Sequence, residues 1–161
     1  MKMNGFDQQK AARVWQRVQQ AQPREKEPGH LEELPEWQMN AWTLAATYRR
    51  LAAGAQGSAR EILGQLARQE QKQVARLAGI RLLITGETQA PPALNLPKEP
   101  LERALRRCFG MHLRNMKAWE AQSDHPEYGA IFGELARQQR DQCILVLELL
   151  GSFGGRKENN R

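Results

Sequence analysis

Glu70 and Gln73, Gln139 and Gln142, and His112 are the residues of this chain whose types and spacing could do chemistry. Each pair is separated by three positions, which places both side chains on one face of a helix. A carboxylate near an imidazole can hold a divalent cation or share a proton, whereas glutamine amides only donate and accept hydrogen bonds. All five stand where the helical pattern calls for apolar residues. One seam reads Leu63, Leu66, Glu70, Gln73, Leu77, Ile80, Ile84, and another reads Phe132, Leu135, Gln139, Gln142, Val146, Leu149. A third, Leu101, Leu105, Cys108, His112, Asn115, Trp119, carries the histidine. Steps of three and four throughout turn these positions toward a common interior.

Burying such groups without partners is costly, about 1–3 kcal/mol for an amide and more for a carboxylate. The seams therefore predict one hydrogen-bonded layer linking Glu70, Gln73, His112, Asn115, Gln139 and Gln142. A protonated His112 is the natural partner of a Glu70 carboxylate. The hydroxyl of Tyr48, on the seam Trp37, Ala41, Leu44, Tyr48, Leu51, also needs a partner such as Glu70.

The elements that must position this layer are all helical. Residues 62–73 read ILGQLARQEQKQ and residues 131–142, 69 positions later, read IFGELARQQRDQ, with seven of twelve positions identical. A block repeated at that distance predicts two helical hairpins in one bundle. The first hairpin starts near Pro35, turns between Gly54 and Gly57, and ends at Thr85–Gly86. Its second helix carries a Ser58-x-x-Glu61 capping box, and Gly86 is placed to close it in the left-handed conformation. The segment ETQAPPALNLPKE, with three prolines, predicts a long crossover. A third helix is expected from Pro100 to about Ser123, and a fourth from an Asp124-x-x-Glu127 cap to Gly151. Strand signals are absent. Ahead of the bundle, residues 7–20 predict a short amphipathic helix, followed by a charged, proline-containing linker. The expected organisation is an N-terminal helix and linker over 1–29, a four-helix bundle over 30–151 and a flexible tail over 152–161.

Composition narrows the function classes. A chain of 161 residues suits one domain with a substantial core. No apolar run approaches the ~18 residues that span a bilayer, and the start carries no secretory signal, so a cytoplasmic location is expected. The two cysteines, Cys108 and Cys143, form no disulfide framework and are expected as buried thiols. The net charge of +6 comes from arginines spread along every helix rather than gathered in a stripe, which argues against specific nucleic-acid binding. No nucleophile–base pair or glycine-rich phosphate loop is present.

On these seams, and on the phrases AWTLAATYRRLA, LARQEQKQVARLAGIRLLITGE and HPEYGAIFGELARQQRDQCILVLELLG, the chain resembles the ferritin-like superfamily, most closely its rubrerythrin branch. The leader AARVWQRV also resembles the start of a group of bacterial rubrerythrin-like proteins, and the likeness covers roughly residues 11–151. It implies a ferritin-like four-helix bundle and a di-iron centre held by one Glu from each of helices 1 and 3 and a Glu-x-x-His pair from each of helices 2 and 4. Carried over by seam position, the helix 1 carboxylate falls at Ala41 and the helix 3 carboxylate at His112. The two pairs fall at Glu70 with Gln73, and at Gln139 with Gln142. Only Glu70 keeps the family's ligand, and the four-cysteine rubredoxin-like module of full rubrerythrins is missing. The resemblance thus implies a bundle stripped of most di-iron ligands, acting without a cofactor as a non-catalytic structural or interaction protein, as a homodimer. The alternative is a rubrerythrin-like oxidoreductase with a residual centre in which Glu70 and His112 hold a single iron or other divalent metal.

Overall fold

The computed structural model describes Arg13 and residues 32–158. The chain there is all-α, with helices α1 Leu34–Ala53, α2 Gly57–Thr85, α3 Leu101–Glu120 and α4 Gly129–Glu158, and no strand among the described residues. The N-terminal helix and linker expected over 1–29 lie, Arg13 apart, outside those residues. The bundle is a compact unit starting at Glu33.

α1 packs along α2 and α3 along α4; the two hairpins meet through α1 against α3 and α2 against α4. Side-chain contacts set the directions. Trp37, near the start of α1, meets Trp119 at the end of α3 with ring centroids 6.5 Å apart. Arg76, in the later half of α2, pairs with Glu134 early in α4 at 3.1 Å. Every helix is therefore antiparallel to both of its neighbours.

That arrangement requires the α2–α3 connection to travel the length of the bundle, and its anchors show that it does. Near the end of α2, Arg81 bonds the Gln89 side chain. At the opposite end, Arg50 in the last turn of α1 donates to the carbonyls of Leu96 and Pro97 at 3.4 and 2.7 Å. An extended chain covers about 3.3 Å per residue, so this segment reaches easily across the ~30 Å of α3. Prolines that cannot join a helix keep it extended.

Several helix ends differ from expectation. α2 starts at Gly57 behind Gln56, with no side-chain cap bond, so the Ser58–Glu61 box is not formed. α3 stops at Glu120, and α4 begins at Gly129 rather than at the Asp124 cap. The chain between them turns back so tightly that a Cβ on Gly129 would overlap the Ser123 carbonyl oxygen. The backbone N–H groups of Glu127 and Tyr128 donate to Nδ1 of His125, each at 3.1 Å, so a histidine side chain serves that turn instead of an aspartate. α4 also runs past Gly151 to Glu158, so much of the expected tail is helical. Gly86 closes α2 as predicted, with φ 71° and its N–H on the Leu82 carbonyl at 2.9 Å.

Two apolar clusters fill the interior. One gathers Trp37, Ala41, Leu77, Ile80, Trp119, Phe132 and Leu135; the other gathers Leu44, Tyr48, Leu63, Leu66, Leu105, Cys108, Val146 and Leu149. Because α2 and α4 are antiparallel, the matching seam residues of the two repeats, Leu63 and Leu66 against Phe132 and Leu135, lie at opposite ends. The polar residues that follow them in each repeat are thereby brought to the same level, between the clusters.

Candidate functional site

Glu70 and Gln73 occupy the interior face of α2, His112 that of α3, and Gln139 and Gln142 that of α4. All five are fully buried. The polar pairs of the two repeats face each other, and Gln139 forms the junction. Its Nε2 donates toward Oε1 of Gln73 at 2.5 Å, Oε1 of Gln142 at 2.8 Å and Oε1 of Glu70 at 3.2 Å. Its own Oε1 lies 2.7 Å from Nδ1 of His112. Since that amide oxygen can only accept, His112 carries its proton on Nδ1 and donates. Nε2 of the imidazole then accepts from the Tyr48 hydroxyl, 2.5 Å away. Gln73 Nε2 approaches Gln142 Oε1 at 3.5 Å. One directed chain results, from Tyr48 through His112 to Gln139 and on to three oxygens.

The two residues singled out as metal ligands are brought together: Glu70 Oε1 is 3.6 Å from His112 Nδ1. Their ionisation differs from the expected ion pair. Burial pushes the Glu70 carboxyl up from 4.5 to about 8, against the lowering effect of the Gln139 and Gln142 amides. Burial likewise pushes the imidazole down from 6.5 to about 4, outweighing the bond to Gln139. The expected His112 cation therefore gives way to a neutral ring beside a neutral acid, because no charge at this depth recovers its lost hydration. Tyr48 is raised well above its ordinary value by burial first, with Cys108 and Glu70 adding to it, and burial raises the Cys108 thiol to about 11. Both cysteines are free and buried, as expected.

Two expected partnerships are exchanged for others. The Tyr48 hydroxyl bonds His112 rather than Glu70. Asn115 does not join the layer; its Oδ1 accepts from Asn40 Nδ2 at 3.5 Å. Ala41 is fully buried and adds only a methyl group to the apolar cluster on that side, so α1 reaches the layer through Tyr48 alone. Gln38, with 1% of its surface exposed, is a buried polar residue that the seam reading passed over. Its Oε1 accepts from Arg81 at 3.0 Å, bridging α1 and α2. The only signal in the sequence was its place beside Trp37, on the flank of the seam.

The donor set does not fit a di-iron centre. One carboxyl, one imidazole and three amides supply too little negative charge to offset the dehydration of two cations. Both imidazole nitrogens already hold partners within the chain. Among the described residues, no group of three or more His, Cys, Asp or Glu could hold a metal ion.

Fold and site together define an all-α four-helix bundle with a buried, charge-neutral polar layer across its middle. No protein-family model, curated protein or solved structure matches the chain. Among the described residues, no helix is long and apolar enough to cross a membrane.

Proposed function

We propose that this chain is a ferritin-like, rubrerythrin-like bundle that has given up di-iron chemistry and acts as a non-catalytic structural or interaction protein. The observation that carries this reading is the layer itself. Five of the six positions to which the resemblance assigns ligands carry polar residues, all but Ala41, and these five meet at one level. They bond one another there through amide groups rather than presenting charged donors to a cation. A fully neutral layer holds the bundle in one register without a metal. Pairing as a homodimer belongs to the same proposal, and the exposed Leu82, Leu83, Ile144 and Leu147 offer apolar surface for a second copy.

The competing reading, a single metal at Glu70 and His112, has the 3.6 Å approach of the two groups in its favour. It requires the acid to ionise and the imidazole to leave Gln139 or Tyr48, each against the direction set by burial. Elemental analysis of protein purified from iron-supplemented cells separates the two. Less than one-tenth equivalent of iron per chain is expected; near-stoichiometric iron would sink the metal-free reading.

A further inference from the structure

The three oxygens gathered on one nitrogen are the unusual feature of the layer. A primary amide nitrogen carries two hydrogens, yet Nε2 of Gln139 faces Oε1 of Gln73, Gln142 and Glu70 at 2.5, 2.8 and 3.2 Å. Oxygens from two helices converging on one point normally repel, and they need a positive centre among them. The group that approaches all three within 3.2 Å is that nitrogen, while Gln73 Nε2 reaches only the Gln142 oxygen, at 3.5 Å. The adjoining Nδ1 of His112 completes the surround from a third helix, 3.6 Å from the Glu70 oxygen and 2.7 Å from the Gln139 oxygen. With Gln73, Gln142 and Glu70 as they stand, turning the amide over would set its oxygen against three others.

We infer that the side-chain amide of Gln139 takes the place of a cation at the focus of Glu70, Gln73, Gln142 and His112, and is what excludes divalent metals from this layer. The inference rests on the reading that the layer works without a metal and names the residue responsible. Its two N–H groups are shared among the oxygens that would otherwise be free to bind an ion. The remaining groups are then a latent site. Removing the two N–H groups while keeping the shape leaves four converging side-chain oxygens, two of them carboxylate oxygens, beside an imidazole. Such a set suits a divalent transition-metal ion that accepts oxygen and nitrogen donors.

Gln139→Glu is the isosteric test, since it exchanges one NH2 group for one oxygen. Cobalt(II) is the probe because its visible absorption reports coordination directly. Metal-free Gln139→Glu is expected to melt about 5 °C or more below the wild type. One equivalent of cobalt(II) should bind with a visible d–d band and restore the melting temperature, while the wild type shows no band. Absence of a band in Gln139→Glu overturns the inference whatever its melting temperature, and leaves the metal-free reading standing. A stoichiometric band in the wild type overturns both. Should the variant fail to fold alone, it is refolded with cobalt(II) present: recovery with the band supports the inference, and failure to recover overturns it.

Discussion

Tyr48 shows how a single hydroxyl becomes structural. Its ring belongs to the apolar cluster, while its O–H reaches 2.5 Å to Nε2 of His112, the one ring nitrogen without a proton. Remove that donor and a fully buried acceptor is left facing hydrocarbon, with no water to replace the bond. Tyr48→Phe keeps the packing and deletes only the bond, so it should lower the unfolding free energy by about 1–3 kcal/mol. Urea denaturation measures this directly, and an unchanged midpoint would show that the chain from Tyr48 to Gln139 carries no stability. Glu70 illustrates the other side of burial. Its Oε1 accepts from Gln139, but its Oε2 has no hydrogen-bond partner, which leaves a charge there poorly compensated and favours the neutral acid.

At the scale of the helix, two glycines of α2 make opposite demands. Gly86 sits at φ 71°, a conformation that side chains with a Cβ adopt at a cost of about 1–2 kcal/mol. Gly79 lies in the helix interior with nothing within 4 Å of where a Cβ would stand. Gly86→Ala should therefore destabilise the protein by about 1 kcal/mol, while Gly79→Ala should stabilise it by about 0.5–1 kcal/mol. Thermal melts of the two variants check the pair; a shift of the same sign in both would contradict the assignment of the helix end. The helix seams were legible from apolar spacing because burial of an amphipathic face repeats every three or four residues whatever packs against it. The ends of α3 and α4 were less so. Asp124 and Glu127 have capping spacing, but the backbone there is committed to a tight turn in which His125 accepts the free N–H groups.

Across the whole molecule, the layer makes stability depend on pH. Glu70 has its folded value raised from 4.5 to about 8, so between these limits the folded state binds more protons than the unfolded one, and stability falls as pH rises. His112 has its folded value lowered from 6.5 to about 4, so its contribution rises with pH over that interval. The two oppose each other from about pH 4.5 to 6.5, and above that Glu70 acts alone. Stability attributable to the layer should be highest between about pH 4.5 and 6.5 and decline toward pH 8. Glu70→Gln removes the carboxyl term while keeping His112. Its stability relative to the wild type, read from urea denaturation at a series of pH values, should climb between pH 4.5 and 8 and level off above. A pH-independent difference would show that Glu70 titrates normally in the folded protein.

The amino-acid sequence alone determined the helical class, the two hairpins, the crossover and the depth of every polar seam residue, from Glu70 to Gln142. These follow from local periodicity, proline placement and the repeat, all of which are properties of neighbouring positions. Which side chains bond to which was decided only by the tertiary structure. The register of α1 against α3 pairs Tyr48 with His112 and Asn40 with Asn115, and no spacing within one helix encodes a register between two. The protonation of the layer is likewise a product of assembly. Glu70 and His112 are an ion pair when read as residue types, and become two neutral groups when four helices close around them and take away their water.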